Sequence, residues 1–279
     1  MTPVLSIITV TFNCRDLLPR TLESVREQSF PGIEHVVVDG ASTDGTLDLI
    51  RAHADRLGSW VSEPDKGIYD AMNKGLHMAR GEYVLFLNAG DTFFSKDTVG
   101  EVFASSASSA GSAGSKNAPG PENAPGSENM AGSEGSAGST RAARPDIYYG
   151  QTKIVDAHGR IVGDRRLRAP EQLNWKSFRY GMLVCHQSFI VRRELAPEYD
   201  LTWRICADID WCIRCMKAAR TIHNTHRYIS CFLEGGFSRQ QQRKAWRERF
   251  AIMRNHYGLG STLLSHLYII FRFLRLSAA

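Results

Sequence analysis

Several features are missing from this sequence of 279 residues, and each absence narrows its reading. Net charge is only +5, too little on its own to argue for a nucleic-acid partner, though compatible with an anionic substrate or membrane surface. The chain does not open with a basic segment, an apolar run and a small-residue cleavage site, so no secretory leader is expected. The six cysteines are then expected as reduced thiols in a cytoplasmic protein. Cys212 and Cys215 have zinc-like spacing, but no second tight pair accompanies them, and they read as small buried residues of a helix. His223 and His226 likewise read as surface or core histidines rather than ligands. No apolar stretch is long and uninterrupted enough for a bilayer span; the run from Thr262 to Ser277 carries Arg272 and Arg275. It suits an amphipathic helix lying on a membrane surface, with a core or oligomer helix as the other reading.

What is present suits one large domain or one and a half, because 43% of the residues are hydrophobic. Residues 104–144 break the pattern: almost all are Ala, Gly, Ser, Pro, Asn or Glu. Such a segment buries too little apolar surface to offset its ordering entropy, and it reads as a disordered insertion within a domain. Ahead of it, strand and helix signals alternate. Val4 to Thr11 is a β-branched run suited to burial on both faces. Asn13 is placed to cap a helix carrying Leu18, Leu22 and Val25. His35 to Asp39 is a second strand, with Ser42 or Thr43 capping the helix after it. Trp60 to Ser62, a helix marked by Ile68, Met72, Leu76 and Ala79, and Tyr83 to Leu87 complete a βαβαβαβ order. That order predicts an α/β fold with an open, mostly parallel sheet and helices on both faces. Beyond the insertion come a strand at Ile147, a hairpin over 153–162, an apolar stretch around His186 to Val191, a helix over 207–218 and a strand over 228–233. A basic helix follows over 238–256.

In such sheets ligands bind beyond the carboxyl ends of the strands. The polar residues there are Thr11, Phe12 and Asn13 after the first strand, Asp39 ending the second, Asp65 after the third, and Asn88 and Asp91 after the fourth. A parallel sheet would gather them on one rim. The turn Thr11-Phe12-Asn13-Cys14 lacks the glycines by which a dinucleotide-binding oxidoreductase approaches a pyrophosphate. A glycoside hydrolase would use paired carboxylates and gives no reason for the other blocks.

The blocks SIITVTFN, VVVDGASTDGT, SEPDKGIYDAMNKG and ARGEYVLFLNAGD, in this order, resemble the inverting glycosyltransferases of family 2 with their Rossmann-like GT-A fold. The likeness is greatest to the branch that builds bacterial capsule, exopolysaccharide and lipopolysaccharide. It is dense over 4–94 and looser over 148–237. It implies a nucleotide-sugar-binding half over 1–103, an acceptor half over 145–237 and C-terminal helices over 238–279. The implied reaction is transfer from a nucleotide-diphosphate sugar, with uridine the habitual nucleotide, to a saccharide or lipid-linked acceptor. The place implied is the cytoplasmic face, with peripheral contact on the cell membrane open and no nucleic-acid partner. A non-catalytic sugar-binding relative is the alternative.

By the same resemblance Phe12 lies against the nucleobase and Asp39 accepts a bond from it, although Phe12 could be core and Asp39 could stabilise the turn at Gly40. Thr11 and Asn13 flank them. Asp65, Asp70, Asn73 and Lys74 contact the nucleoside or brace the loop, with Lys74 also placed to approach phosphate. The resemblance places the last acid of the family's Asp-x-Asp motif at Asp91, as ligand of a divalent Mn²⁺ or Mg²⁺ or partner of the diphosphate, with a turn-forming acid as the other reading; Asn88 offers a neutral carbonyl or bonds the sugar. Asp208 is the general base, Asp210 the next choice, and an ordinary acidic helix start the competing reading. His186 approaches the diphosphate, and Glu234 to Ser238 form a closing loop.

Overall fold

The computed structural model describes residues 2–110, 144–233 and 242–277, and the side chains of these except 107–110, 242 and 272–277. The closing loop of 234–238 and residues 111–143 of the insertion lie outside them. The insertion's first residues are helical: α4 runs Thr98–Ala110, past the compositional boundary at 104. At its far end Arg144 bonds Glu82 at 3.1 Å.

Nine strands form one sheet. Those before the insertion are β1 (Leu5–Thr11), β2 (Ile33–Asp39), β3 (Ser59–Ser62), β4 (Tyr83–Phe86) and β5 (Thr92–Phe93). After it come β6 (Ile147–Val155), β7 (Ile161–Asp164), β8 (Phe189–Arg192) and β9 (Ile222–Leu233). The order is β3-β2-β1-β4-β8-β6-β9-β5, with β7 paired to β6. The first four strands are all parallel, as the alternation of strands and helices predicts. β8 then joins antiparallel to both β4 and β6, and β6 pairs with β9 in parallel. This produces a mixed sheet whose second half turns the chain back across the first.

All seven residues of β1 are buried, because helices cover both faces. Alternation sorts them. Ile8 and Val10 pack in the larger cluster with α3 (Ile68–Met78) and α5 (Ala207–Ala218), whereas Leu5 and Ile7 pack with Val25 of α1 (Leu18–Arg26) and Val99 of α4. Gly75 lets α3 approach closely, since a methyl group there would overlap Ile8.

Two expected caps are spent otherwise. Asn13 has φ +50, and its Oδ1 accepts from the Thr43 amide at 2.9 Å, tying the loops after β1 and β2 together instead of starting α1. Ser42 turns back to Asp39, and α2 (Thr46–Ala52) opens on Asp44, whose Oδ1 accepts from the Thr46 amide at 3.0 Å. Cys206, Cys212 and Cys215 are buried free thiols, pushed up by burial, and among the described residues no three potential metal ligands cluster. The chain ends in α6 (Gln242–Tyr257) and α7 (Leu259–Ser277). Among the described residues no helix is long and apolar enough to cross a membrane.

Candidate active site

Register places Thr11 beside Asp39 and Asp39 beside Ser62, so the first three strands end at one level. Asp39 is fully buried there. It accepts from the Ser42 amide at 3.0 Å, the Ser42 hydroxyl and the Ser62 hydroxyl at 2.6 Å. It therefore buttresses the loops after β2 and β3. Just outside it, a methyl group on Gly40 would overlap the Asp65 carboxylate and lie 3.3 Å from the Phe12 ring. Phe12, Gly40 and Asp65 thus form the walls and floor of a notch. Phe12 is 60% exposed, which excludes a core role and leaves an aromatic face bare at the rim.

The loop from Asp65 to Asp70 is braced from within. Asp65 accepts from the Gly67 amide at 2.8 Å, and Asp70 from the Lys66 amide at 3.0 Å. Lys74 bonds the Pro64 carbonyl and Glu63, each at 2.8 Å. Asn73 gives both amide groups to the Tyr199 backbone, accepting at 2.7 Å and donating at 3.1 Å. Lys74 and Asn73 are therefore engaged in bracing, one of the roles expected of them.

The same loop reaches the second half of the chain. Arg204 donates to the Lys66 carbonyl at 2.6 Å, and the Tyr69 hydroxyl lies 3.4 Å from Asp208 Oδ1. Asp208 begins α5, where its Oδ1 also accepts from the Ile209 amide at 2.9 Å. Oδ2 has no hydrogen-bond partner among the described residues. Burial pushes the Asp208 carboxyl up to about 6, against these hydrogen bonds and the charge of Arg165. A carboxylate with one free oxygen and a pKa just below neutrality suits proton abstraction.

Asp210, two residues on, differs. Burial raises its carboxyl, but the His256 and Arg214 contacts, each at 2.7 Å, outweigh this and hold it below the usual range. Asp210 fastens α6 to α5. His186 is 5% exposed, stacked on Phe86 with centroids 5.0 Å apart, and bonded to the Tyr199 hydroxyl at 2.7 Å. Burial drives its imidazole down to about 3, so it is neutral and enclosed by aromatic rings.

Asp91 is also turned inward, against the expectation of a metal ligand. It is 3% exposed; Oδ2 accepts from Gln187 Nε2 at 2.8 Å and Oδ1 from the Leu233 amide at 2.9 Å. Burial lifts its carboxyl to about 7, against the Leu233 and Gln187 hydrogen bonds and the charge of Arg20. A hard cation needs ionised oxygen ligands. A single carboxylate with both oxygens already taken by N–H donors does not supply that set, so the described residues do not fit the expected divalent metal. Beside it, Asn88 Oδ1 and the Thr11 hydroxyl are buried without a partner among the described residues. Thr11 ends β1 and Asn88 follows the neighbouring β4, and two orphaned polar atoms there are candidates to meet a bound ligand.

Sequence reasoning missed Ser42 and Ser62 as partners of Asp39, Tyr69 beside Asp208, and Arg165. The Arg165 guanidinium is half-buried, donates to the carbonyls of Leu167 at 3.0 Å and Leu183 at 3.4 Å, and acts electrostatically on Asp208 and Cys185. Its neighbour Arg166 has the same residue type, and no spacing rule separates the two.

Residues 6–112 match the family model described as Glycosyl transferase family 2. A PGL/p-HBAD biosynthesis glycosyltransferase of Mycobacterium bovis is 29% identical over 244 residues, which make up 85% of this chain and 79% of that protein. The crystal structure of S. aureus TarS 1-349 in complex with UDP-GlcNAc superposes with a TM-score of 0.64 at 18% identity, covering 95% of this chain and 73% of that one. The chain spans 66% of the same TarS segment in its UDP complex. A mannosyltransferase of Pyrobaculum calidifontis, in complex with GDP-Man and Mn²⁺, gives a TM-score of 0.56 at 18% identity, covering 96% of this chain and 71% of that one. At these identities the two structures share the fold.

Proposed function

We propose, from the match of residues 6–112 to the family 2 model and the likeness to a glycolipid-biosynthesis glycosyltransferase, that the chain is a family 2 glycosyltransferase that moves a sugar from a nucleoside-diphosphate donor to an acceptor hydroxyl, with inversion, in the synthesis of a cell-surface glycan or glycolipid. The nucleoside occupies the notch of Phe12, Gly40 and Asp65, its base against the exposed ring and its ribose toward the Asp65 carboxylate. Asp39 keeps that notch in shape from below. The orphaned Asn88 and Thr11 oxygens meet polar groups of the sugar diphosphate. UDP-GlcNAc in the TarS neighbour supports a uridine donor; the identity of the sugar is left to the donor screen below.

Asp208 Oδ2 takes the proton of the acceptor hydroxyl as that oxygen bonds to the anomeric carbon. The bond from the anomeric carbon to the diphosphate breaks, and the leaving diphosphate carries the charge away. The charge of Arg165 acts on Asp208, and we assign it to the developing charge on the diphosphate. No step depends on a metal held by Asp91.

The observation that carries this reading is the link from the Phe12–Asp65 notch through the 65–70 loop to Tyr69 and Asp208, which puts a free carboxylate oxygen of pKa about 6 at the end of that loop. Incubating the purified chain with a panel of nucleotide sugars and a glycolipid extract, while measuring nucleoside-diphosphate release, tests it. Release that requires the extract supports transfer. Nucleotide-sugar binding without turnover of any donor would return the chain to the non-catalytic alternative.

A further inference from the structure

A cavity of about 300 Å³ opens against the start of the helix that carries the base. Cys206 and Ile209, the neighbours of Asp208 in sequence, line it, together with Tyr180, Trp246, Ile269 and Arg249. Its surface is mainly apolar, which would be unremarkable for a core defect but for the arginine. Among the described residues, Arg249 Nε and one of its terminal nitrogens are buried with no hydrogen-bond partner. A guanidinium does not lose its proton in a protein, so it stays charged even though burial shifts its pKa down. The Asp208 carboxylate acts on it electrostatically, but two buried N–H groups left without acceptors are costly, and an anion entering the cavity would relieve that cost through charge-assisted, bidentate hydrogen bonds.

The mouth of the cavity leads to a second unusual surface. Tyr180, at its edge, packs its ring against Tyr268 of α7 with centroids 5.3 Å apart. From there Leu263, Leu264, Leu267, Ile270 and Phe271 continue along α7 as exposed apolar side chains. Soluble proteins rarely expose so many on one helix without covering them. An apolar cavity holding a guanidinium with two unbonded nitrogens, beside an exposed apolar helix face, matches an amphiphile with an anionic head.

We propose that this cavity is the acceptor site and takes a lipid phosphate, its phosphate on Arg249 and its hydrocarbon against Tyr180, Trp246 and Ile269 toward the membrane-facing side of α7. The proposal rests on the transferase reading and deepens it, because it supplies the acceptor that faces Asp208. The lipid's head carries the hydroxyl to be glycosylated, or a sugar that bears it, to the Asp208 carboxylate.

The test uses the full chain and three probes: phosphatidylcholine vesicles with and without a polyprenyl phosphate, water-soluble farnesyl phosphate, and inorganic phosphate. Sedimentation with the vesicles should require the polyprenyl phosphate. Farnesyl phosphate should change the fluorescence of Trp246, whereas inorganic phosphate should bind far more weakly. Arg249→Met should weaken farnesyl phosphate binding by about tenfold to a hundredfold, the scale of a lost charge-assisted hydrogen bond. Arg249→Lys should recover part of it, and UDP affinity should stay unchanged in both. Because Arg249 is buried, Trp246→Ala at the exposed mouth is the second variant, and should weaken the lipid probe with the fold intact. Equal binding of inorganic and farnesyl phosphate, or Arg249→Met and Trp246→Ala proteins that bind the lipid probe normally, would overturn the proposal. Sugar transfer to a lipid-free acceptor, undiminished in Arg249→Met, would overturn it while leaving the transferase reading intact. Lipid binding with no turnover of any donor would instead sink the transferase reading.

Discussion

Replacing Asp91 with asparagine separates a buried structural carboxyl from a catalytic ligand. The carboxyl is raised from 3.8 to about 7 by burial. At about 1.4 kcal/mol per pKa unit, the charged form therefore carries a penalty on the order of 4 kcal/mol in the folded protein. The folded pKa lies above the unfolded one, so this group's contribution to stability is complete below the unfolded value and is lost as pH rises through the folded value. Between about pH 5 and about pH 7 the loss should reach roughly 2 kcal/mol. Asparagine cannot ionise. Its oxygen still accepts from the Leu233 amide, and Gln187 can turn to present its own oxygen to the new amide. Asp91→Asn should therefore remove that part of the pH dependence and leave the protein as stable or more stable near neutrality. Urea denaturation of both proteins at the two pH values measures the difference, with the remaining carboxylates cancelling. Two parallel pH dependences would refute the burial argument. A stable Asp91→Asn protein that binds donor but does not turn over would refute the structural role and restore Asp91 as a ligand.

Three other outcomes are expected. The rate of transfer should fall as pH drops through about 6, because Asp208 must be ionised to accept a proton; a rate that is flat down to about pH 4.5 would contradict its assignment as base. Phe12→Ala should weaken UDP binding by about tenfold, the scale of a lost base–aromatic stack, with an unchanged melting temperature because the ring is exposed. Gly40→Ala should push the Asp65 carboxylate aside, so calorimetry should show donor binding lost while far-ultraviolet circular dichroism remains native.

The parallel half of the fold was legible because each β-branched run is followed by helical periodicity, and right-handed crossovers leave few ways to arrange them. The antiparallel placement of β8 between β4 and β6 was not, since no local pattern encodes which distant edge a short strand will join. At the site, residue type predicted exposure poorly. Phe12 stands bare at the rim, while His186, a natural acid–base candidate, is enclosed by Phe86, Tyr199 and Trp211. Asp208 and Asp210 have the same chemistry two positions apart on one helix, and only the arrival of His256 from α6 and Arg214 from the next turn makes one an anchor. The family resemblance assigned the Asp91 carboxylate to a metal. Gly90, at φ +97, instead carries the backbone round so that Asp91 meets Gln187 and β9.

The account depends above all on Asp208 facing a bound nucleotide sugar as proton acceptor. Its most direct test is Asp208→Asn, assayed in parallel by calorimetric binding of UDP and by acceptor-dependent release of nucleoside diphosphate. The account predicts unchanged UDP affinity with turnover reduced by roughly a hundredfold to ten-thousandfold, the usual contribution of a general base. Full turnover in the Asp208→Asn protein would contradict it.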